Sequence, residues 1–131
     1  MKSRTLLLLA ALFGASGVLL GAFGAHALKF ILTQGGMIDV WDTAVRYQLI
    51  HAVGLIALSG IYSNPEWIVS KPKLIWVVRL WSIGVVLFST SLYLLAIGGP
   101  RWLGPITPLG GISLIAGWVQ LGLASLKRKN E

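Results

Sequence analysis

His26, His51, the pair Asp42 and Arg46, and Tyr93 are the side chains of this sequence equipped for proton transfer, ligation or ion pairing, and all five fall in or beside long apolar stretches. Asp42 and Arg46 are spaced i, i+4, so a helix would place them on one face as an ion pair. Ionisable groups among apolar residues are expensive and need partners at their own level. Nucleophilic catalysis finds nothing to build on, because the sequence has no cysteine, no G-x-S-x-G, no H-E-x-x-H and no pair of intramembrane aspartates. No enzyme is expected. The two histidines come without cysteine or carboxylate co-ligands at metal-binding spacing, so no metal and no cofactor is expected either.

The elements that must hold these residues are four apolar stretches, at about residues 5–28, 39–62, 74–97 and 107–126. Each is long enough for the ~20 residues at ~1.5 Å rise that cross a hydrocarbon core of ~30 Å. With 56% hydrophobic and 11% charged residues in 131, little remains outside them. The fold class expected is all-α, a polytopic bundle of four membrane-spanning helices in a single domain. Lysine and arginine outnumber aspartate and glutamate by 11 to 4, a balance that in a soluble chain would suggest nucleic acid. Position decides otherwise. Lys2 and Arg4 precede the first stretch, Lys71, Lys73 and Arg79 surround the start of the third, and Lys127, Arg128 and Lys129 follow the fourth. On the positive-inside rule, both termini and the middle loop are cytoplasmic, in a bacterial or organellar inner membrane. Ala25-His26-Ala27 imitates a signal-peptide cleavage site, but the apolar run before it exceeds the ~7–15 residues of a signal core.

Along the first stretch, Ala10, Gly14, Gly17, Gly21, Gly24 and Leu28 follow alternating steps of four and three. Such a seam of small residues lets another helix come close, whether within the chain or from a second copy. Gly110, Ser113 and Gly117 repeat the device in the fourth. Gln34-Gly35-Gly36 marks an outer loop, with Asp39 as N-cap of the second helix. Asn64-Pro65-Glu66-Trp67 reads as a cap, a first-turn proline and an interfacial anchor, and Pro72 opens the third helix. Arg79 is expected to snorkel to headgroups beside Trp76 and Trp81. Gly98-Gly99-Pro100 ends the third helix, and Thr107-Pro108 opens the fourth with Thr107 as N-cap. The halves show no repeat of His26, Arg46 and His51, which argues against an inverted-repeat transporter.

Depth then sorts the chemistry. His26 lies within about a turn of the outer end of its helix, Arg46 about 10 Å below the start of the second, and Tyr93 at a similar level. His26, Asp42, Arg46 and Tyr93 are therefore predicted to converge as one outer polar cluster. It would serve either as a structural lock between helices or as a small outward pocket for a ligand, lipid headgroup or proton. His51 falls near mid-membrane with Tyr47 one turn earlier and Ser89 at comparable depth, as a neutral, hydrogen-bonded histidine. Haem between His26 and His51 fails on depth, since they differ by about 12 Å or more.

Taken together, Gly21-Ala22-Phe23-Gly24-Ala25-His26, Asp42-x-Ala44 leading to His51, Ser89-Thr90-Ser91-Leu92-Tyr93 and Thr107-Pro108-Leu109-Gly110-Gly111 with Gly117-Trp118 resemble a known group. It is the family of YgdD-type bacterial inner-membrane proteins, domain of unknown function 423. The resemblance covers essentially the whole chain and departs at Thr90, where glycine is frequent. It implies a four-helix integral membrane protein without an assigned biochemical activity, and it carries over Gly24, His26, Asp42, Ala44, His51, Tyr93, Pro108, Gly110 and Gly111 with no role attached. The function expected is that of an accessory or interaction subunit whose partners are the lipid bilayer and either further copies of itself or another membrane protein, with no nucleic acid. The alternative is a small oligomeric transporter, channel or lipid- or ligand-binding protein built on the outer polar pocket.

Overall fold

The computed structural model describes residues 2–126, apart from the side chain of Val69, and among them there is no strand. The basic residues Lys127, Arg128 and Lys129 lie outside that range. Five α-helices follow one another, α1 (Ser3–Ala25), α2 (Lys29–Gln34), α3 (Ile38–Ser63), α4 (Lys71–Ala96) and α5 (Ile106–Ser125), with short 3-10 helices at Pro65–Ser70 and Arg101–Leu103. The four long ones are apolar and long enough to cross a membrane.

Helix ends follow local chemistry. Gly36 (φ 64°) and Gly98 (φ 89°) take the left-handed conformation that closes α2 and α4. In each case the following residue donates its N–H five positions back, Met37 to Leu32 and Gly99 to Leu94, so the last carbonyls are satisfied. Asn64 caps the first 3-10 helix by accepting from the Glu66 N–H at 2.9 Å, with Pro65 next to it, and Pro72 stands in the first turn of α4, as the sequence led one to expect. Three expectations are corrected. The segment read as an outer loop after Leu28 contains α2. Asp39 sits within the first turn of α3 rather than capping it, because the helix starts one residue earlier at Ile38. Thr107 lies inside α5, and its hydroxyl bonds Ser91 Oγ at 2.7 Å instead of its own helix end.

Each long helix packs on its predecessor, α3 on α1, α4 on α3 and α5 on α4. The central pair is the more enclosed: 39% and 44% of the apolar stretches of α3 and α4 are buried, against 17% at both α1 and the Arg101–Ser125 stretch. One core cluster gathers Leu6, Leu55, Leu58, Val77, Trp81 and Leu114, and a second, nearer the α2 end, gathers Leu32, Trp41, Ala44, Tyr93 and Ala96.

The small residues are where backbones meet. A Cβ at Gly17 would press on Leu49, one at Gly21 on Val45, and one at Gly24 would overlap the Trp41 indole, while Gly14 looks at Ala52 across an ordinary contact. The stripe of α1 is therefore the α1–α3 interface within the chain. Between α4 and α5 the same holds: Gly110 lies against the Phe88 backbone, Gly117 against the Trp81 indole, and Gly84 against Leu114. Trp81, expected at the membrane surface, is instead buried in this seam, and Trp76 alone remains exposed under the Arg79 guanidinium, 5.2 Å from its ring centroid.

Candidate functional site

The interior polar groups form two stations. At the first, Gln48 of α3 donates from Nε2 to the Phe13 carbonyl (2.9 Å) and to Ser16 Oγ (2.8 Å) of α1. Its Oε1 accepts the Tyr93 hydroxyl of α4 at 3.0 Å. One amide thus joins three helices with both N–H groups spent, as a medium without water demands of a buried polar group. Around it, Ser89 Oγ donates to the Ala44 carbonyl (2.9 Å), and Trp41 Nε1 to the Leu20 carbonyl (2.9 Å). The Trp41 ring lies 4.7 Å from that of Tyr93.

The second station is His51, buried among aromatic rings. Trp118 Nε1 of α5 donates to His51 Nε2 at 3.1 Å, and His51 Nδ1 lies 2.7 Å from the Tyr47 carbonyl. An indole N–H only donates, so Nε2 must accept and Nδ1 must carry the proton toward the carbonyl. That is the neutral imidazole, since an imidazolium has no acceptor to offer Trp118. The rings of Trp81 and Trp118 stand edge-on to it at 5.5 and 6.0 Å. The Trp81 N–H itself is buried against Gly117 without a hydrogen-bond partner among the described residues.

The predicted outer cluster does not assemble. Tyr93 is buried and occupied by Gln48, whereas His26, Asp42 and Arg46 are exposed. His26 follows the last residue of α1 rather than standing within it. Asp42 and Arg46 do occupy successive turns of one face, but α3 turns its Trp41, Ala44, Gln48, His51 and Leu55 side inward and leaves that face outside. No ion pair joins them or His26 among the described residues. At 26 residues α3 is about 39 Å long, more than a ~30 Å core requires, and Asp42 lies about 6 Å from its start. Ser89 and His51 are both buried, but they serve different bonds, Ser89 to the Ala44 carbonyl and His51 to Tyr47 and Trp118. Gln48, Ser16, Trp41 and Trp118 are the participants that reasoning from ionisable groups passes over. For Gln48 and Trp118 the sign in the sequence is an amide or an indole well inside a span, each carrying an N–H that must be satisfied there.

A crevice runs between α1 and α4, which both pack on α3 but scarcely on one another. Its upper section, about 260 Å³, has Ser16, Gln48, Thr90 and Tyr93 among Phe13, Leu20, Val85 and Val86. Its lower section, about 400 Å³, is walled by Leu9, Phe13, Ile83, Val86 and Leu87 with Ser82, whose buried hydroxyl has no hydrogen-bond partner among the described residues. Phe13 and Val86 belong to both.

Four apolar spans with hydrogen bonds closed inside them and no Asp, Glu, Lys or Arg among the buried residues define a multi-pass α-helical membrane protein. The family model for "Protein of unknown function (DUF423)" matches residues 20–111, and the chain belongs to this family. It is 42% identical to a UPF0382 membrane protein of Staphylococcus haemolyticus over 95% of this chain and 97% of the relative. It is 38% identical to the UPF0382 inner membrane protein YgdD of Escherichia coli K12 over 98% and 96%, and 36% identical to the UPF0382 membrane protein YwdK of Bacillus subtilis over 95% and 98%. No solved structure matches. The protein is accordingly a multi-pass protein of the cell inner membrane, in a family without an assigned biochemical activity.

Proposed function

We propose that this protein is a non-enzymatic accessory subunit of the inner membrane, acting through contacts between its outward helix faces and other membrane helices, those of further copies included. The observation that carries this reading is the set of hydrogen bonds that ties the helices to one another. Gln48 joins Ser16 of α1 and Tyr93 of α4, and Trp118 of α5 joins His51 of α3, so these groups are read as ties between helices, and the outward helix faces are left for contacts with other proteins. Leu8, Leu12 and Val18 of α1, and Ile112, Ile115 and Val119 of α5, supply faces unclaimed within the chain. Lys2, Arg4, Lys71, Lys73 and Arg79, all at the end of the bundle holding the N-terminus, support an orientation with the termini in the cytoplasm.

The chain has no cysteine, which makes the test clean. Single cysteines at Leu8, Leu12, Ile112 or Ile115 are to be oxidised in native membranes. The expected result is a cross-linked species, homodimer or larger heteromer, from one helix face and not from the buried control Leu58→Cys. Monomer alone from every position overturns the proposal.

A further inference from the structure

We infer that the crevice between α1 and α4 is a lateral binding site for a neutral lipid whose hydrocarbon chain carries an uncharged hydroxyl. This goes beyond the accessory role above, which concerns other surfaces.

Both sections are open along one side, the upper beside Phe13, Ser16 and Leu20 of α1 and the lower beside Ser82, Ile83 and Leu87 of α4. The occupant that a bilayer itself supplies to such an opening is a hydrocarbon chain. Burying it against Leu9, Phe13 and Leu87 replaces lipid contacts with protein contacts, so the apolar section alone would hold it weakly.

Selectivity comes from the upper section. Thr90 is exposed about 9 Å short of the end of α4, and its hydroxyl makes no hydrogen bond with the described residues. Elsewhere in the chain the threonine hydroxyls of α2 and of the first turns of α3 bond their own helix, Thr33 to Lys29 (2.6 Å) and Thr43 to Asp39 (2.7 Å). Thr90 therefore offers a spare donor. Gln48 has no N–H left, but Tyr93 oxygen and Gln48 Oε1 retain lone pairs. The complementary group must accept from Thr90 and donate to Tyr93 or Gln48. A hydroxyl does both, whereas an ester or ether only accepts. No charged side chain lines either section, so an ionic headgroup has nothing to compensate it there.

The test uses the full-length protein in phosphatidylcholine vesicles with a trace of hexadecanol bearing a diazirine, and the methyl ether of the same probe as control. After illumination, adducts are expected to concentrate on peptides containing Phe13, Ser16 and Val86, with the alcohol labelling about five-fold more than the ether, the factor associated with one hydrogen bond. Thr90→Val should abolish the preference while leaving the ether's yield unchanged. Val86→Trp, at an exposed position where the two sections join, should lower both yields several-fold, and Ile115→Trp on α5 should not. Labelling as dense along Ile112, Ile115 and Val119 as in the crevice means bulk lipid only and overturns the inference. So does an adduct-free crevice in which α1 cross-links to a second copy, and so does an alcohol preference that survives Thr90→Val.

Discussion

Gln48 makes three side-chain hydrogen bonds to two other helices, more than any other residue described here. Between membrane helices such bonds average about 0.6 kcal/mol and reach roughly 1.7, because the separated helices also find partners. Gln48→Leu should therefore cost about 1–2 kcal/mol in a detergent-titrated unfolding measurement, and Tyr93→Phe, which deletes one bond, about 0.6 kcal/mol. Equal losses would mean that the bonds to Phe13 and Ser16 contribute nothing. His51 offers the same comparison with a different readout. Trp118→Phe keeps the ring beside Trp81 but removes the N–H that donates to Nε2, freeing the imidazole to change tautomer, and the ring nitrogen shifts of a labelled histidine should move from one N–H form toward a mixture. An unchanged spectrum would mean that the Tyr47 carbonyl alone fixes the proton.

At the scale of elements, the glycines divide by what stands opposite them. Gly24 and Gly117 lie under the indoles of Trp41 and Trp81, where a Cβ has no room, so Gly24→Val and Gly117→Val should each destabilise by ~1–3 kcal/mol or disrupt folding. Gly60 has open space in the last turn of α3, and Gly60→Ala should be neutral or stabilise by about 0.4–1 kcal/mol through the unfolded chain. Parallel thermal melts of the three variants separate packing from mere glycine content. The spans were legible in the sequence because length and apolarity alone specify them, and the seam of α1 because its period is that of a helix. The outer cluster was not, and the reason is geometric. Residue number gives only an expected depth, and that expectation is what groups His26, Asp42, Arg46 and Tyr93. Which way a side chain points round the helix depends on the neighbours, and α3 spends its inward side on Trp41, Ala44, Gln48 and His51. The partnership of Gln48 with α1 could not be read either, since a backbone carbonyl such as that of Phe13 leaves no mark in a sequence.

For the whole molecule, the antiparallel order puts Ser3 beside Ser59 and Ser70 beside Ala124, so the start of α1 and the end of α5 lie at the same end of the bundle. A reporter active only in the cytoplasm, fused after Glu131, should be active, and the same reporter inserted at Gly36 should be silent; the reverse pattern would invert the orientation proposed above. The succession in which every long helix rests on the one before it also bears on biogenesis. When α3 leaves the insertion machinery, α1 is already in place to receive both N–H groups of Gln48. Tyr93 comes later and takes up the oxygen that α1 left unused. Synthesis from the N-terminus thus delivers the buried amide of α3 to a waiting acceptor, and the membrane is never asked to store it bare.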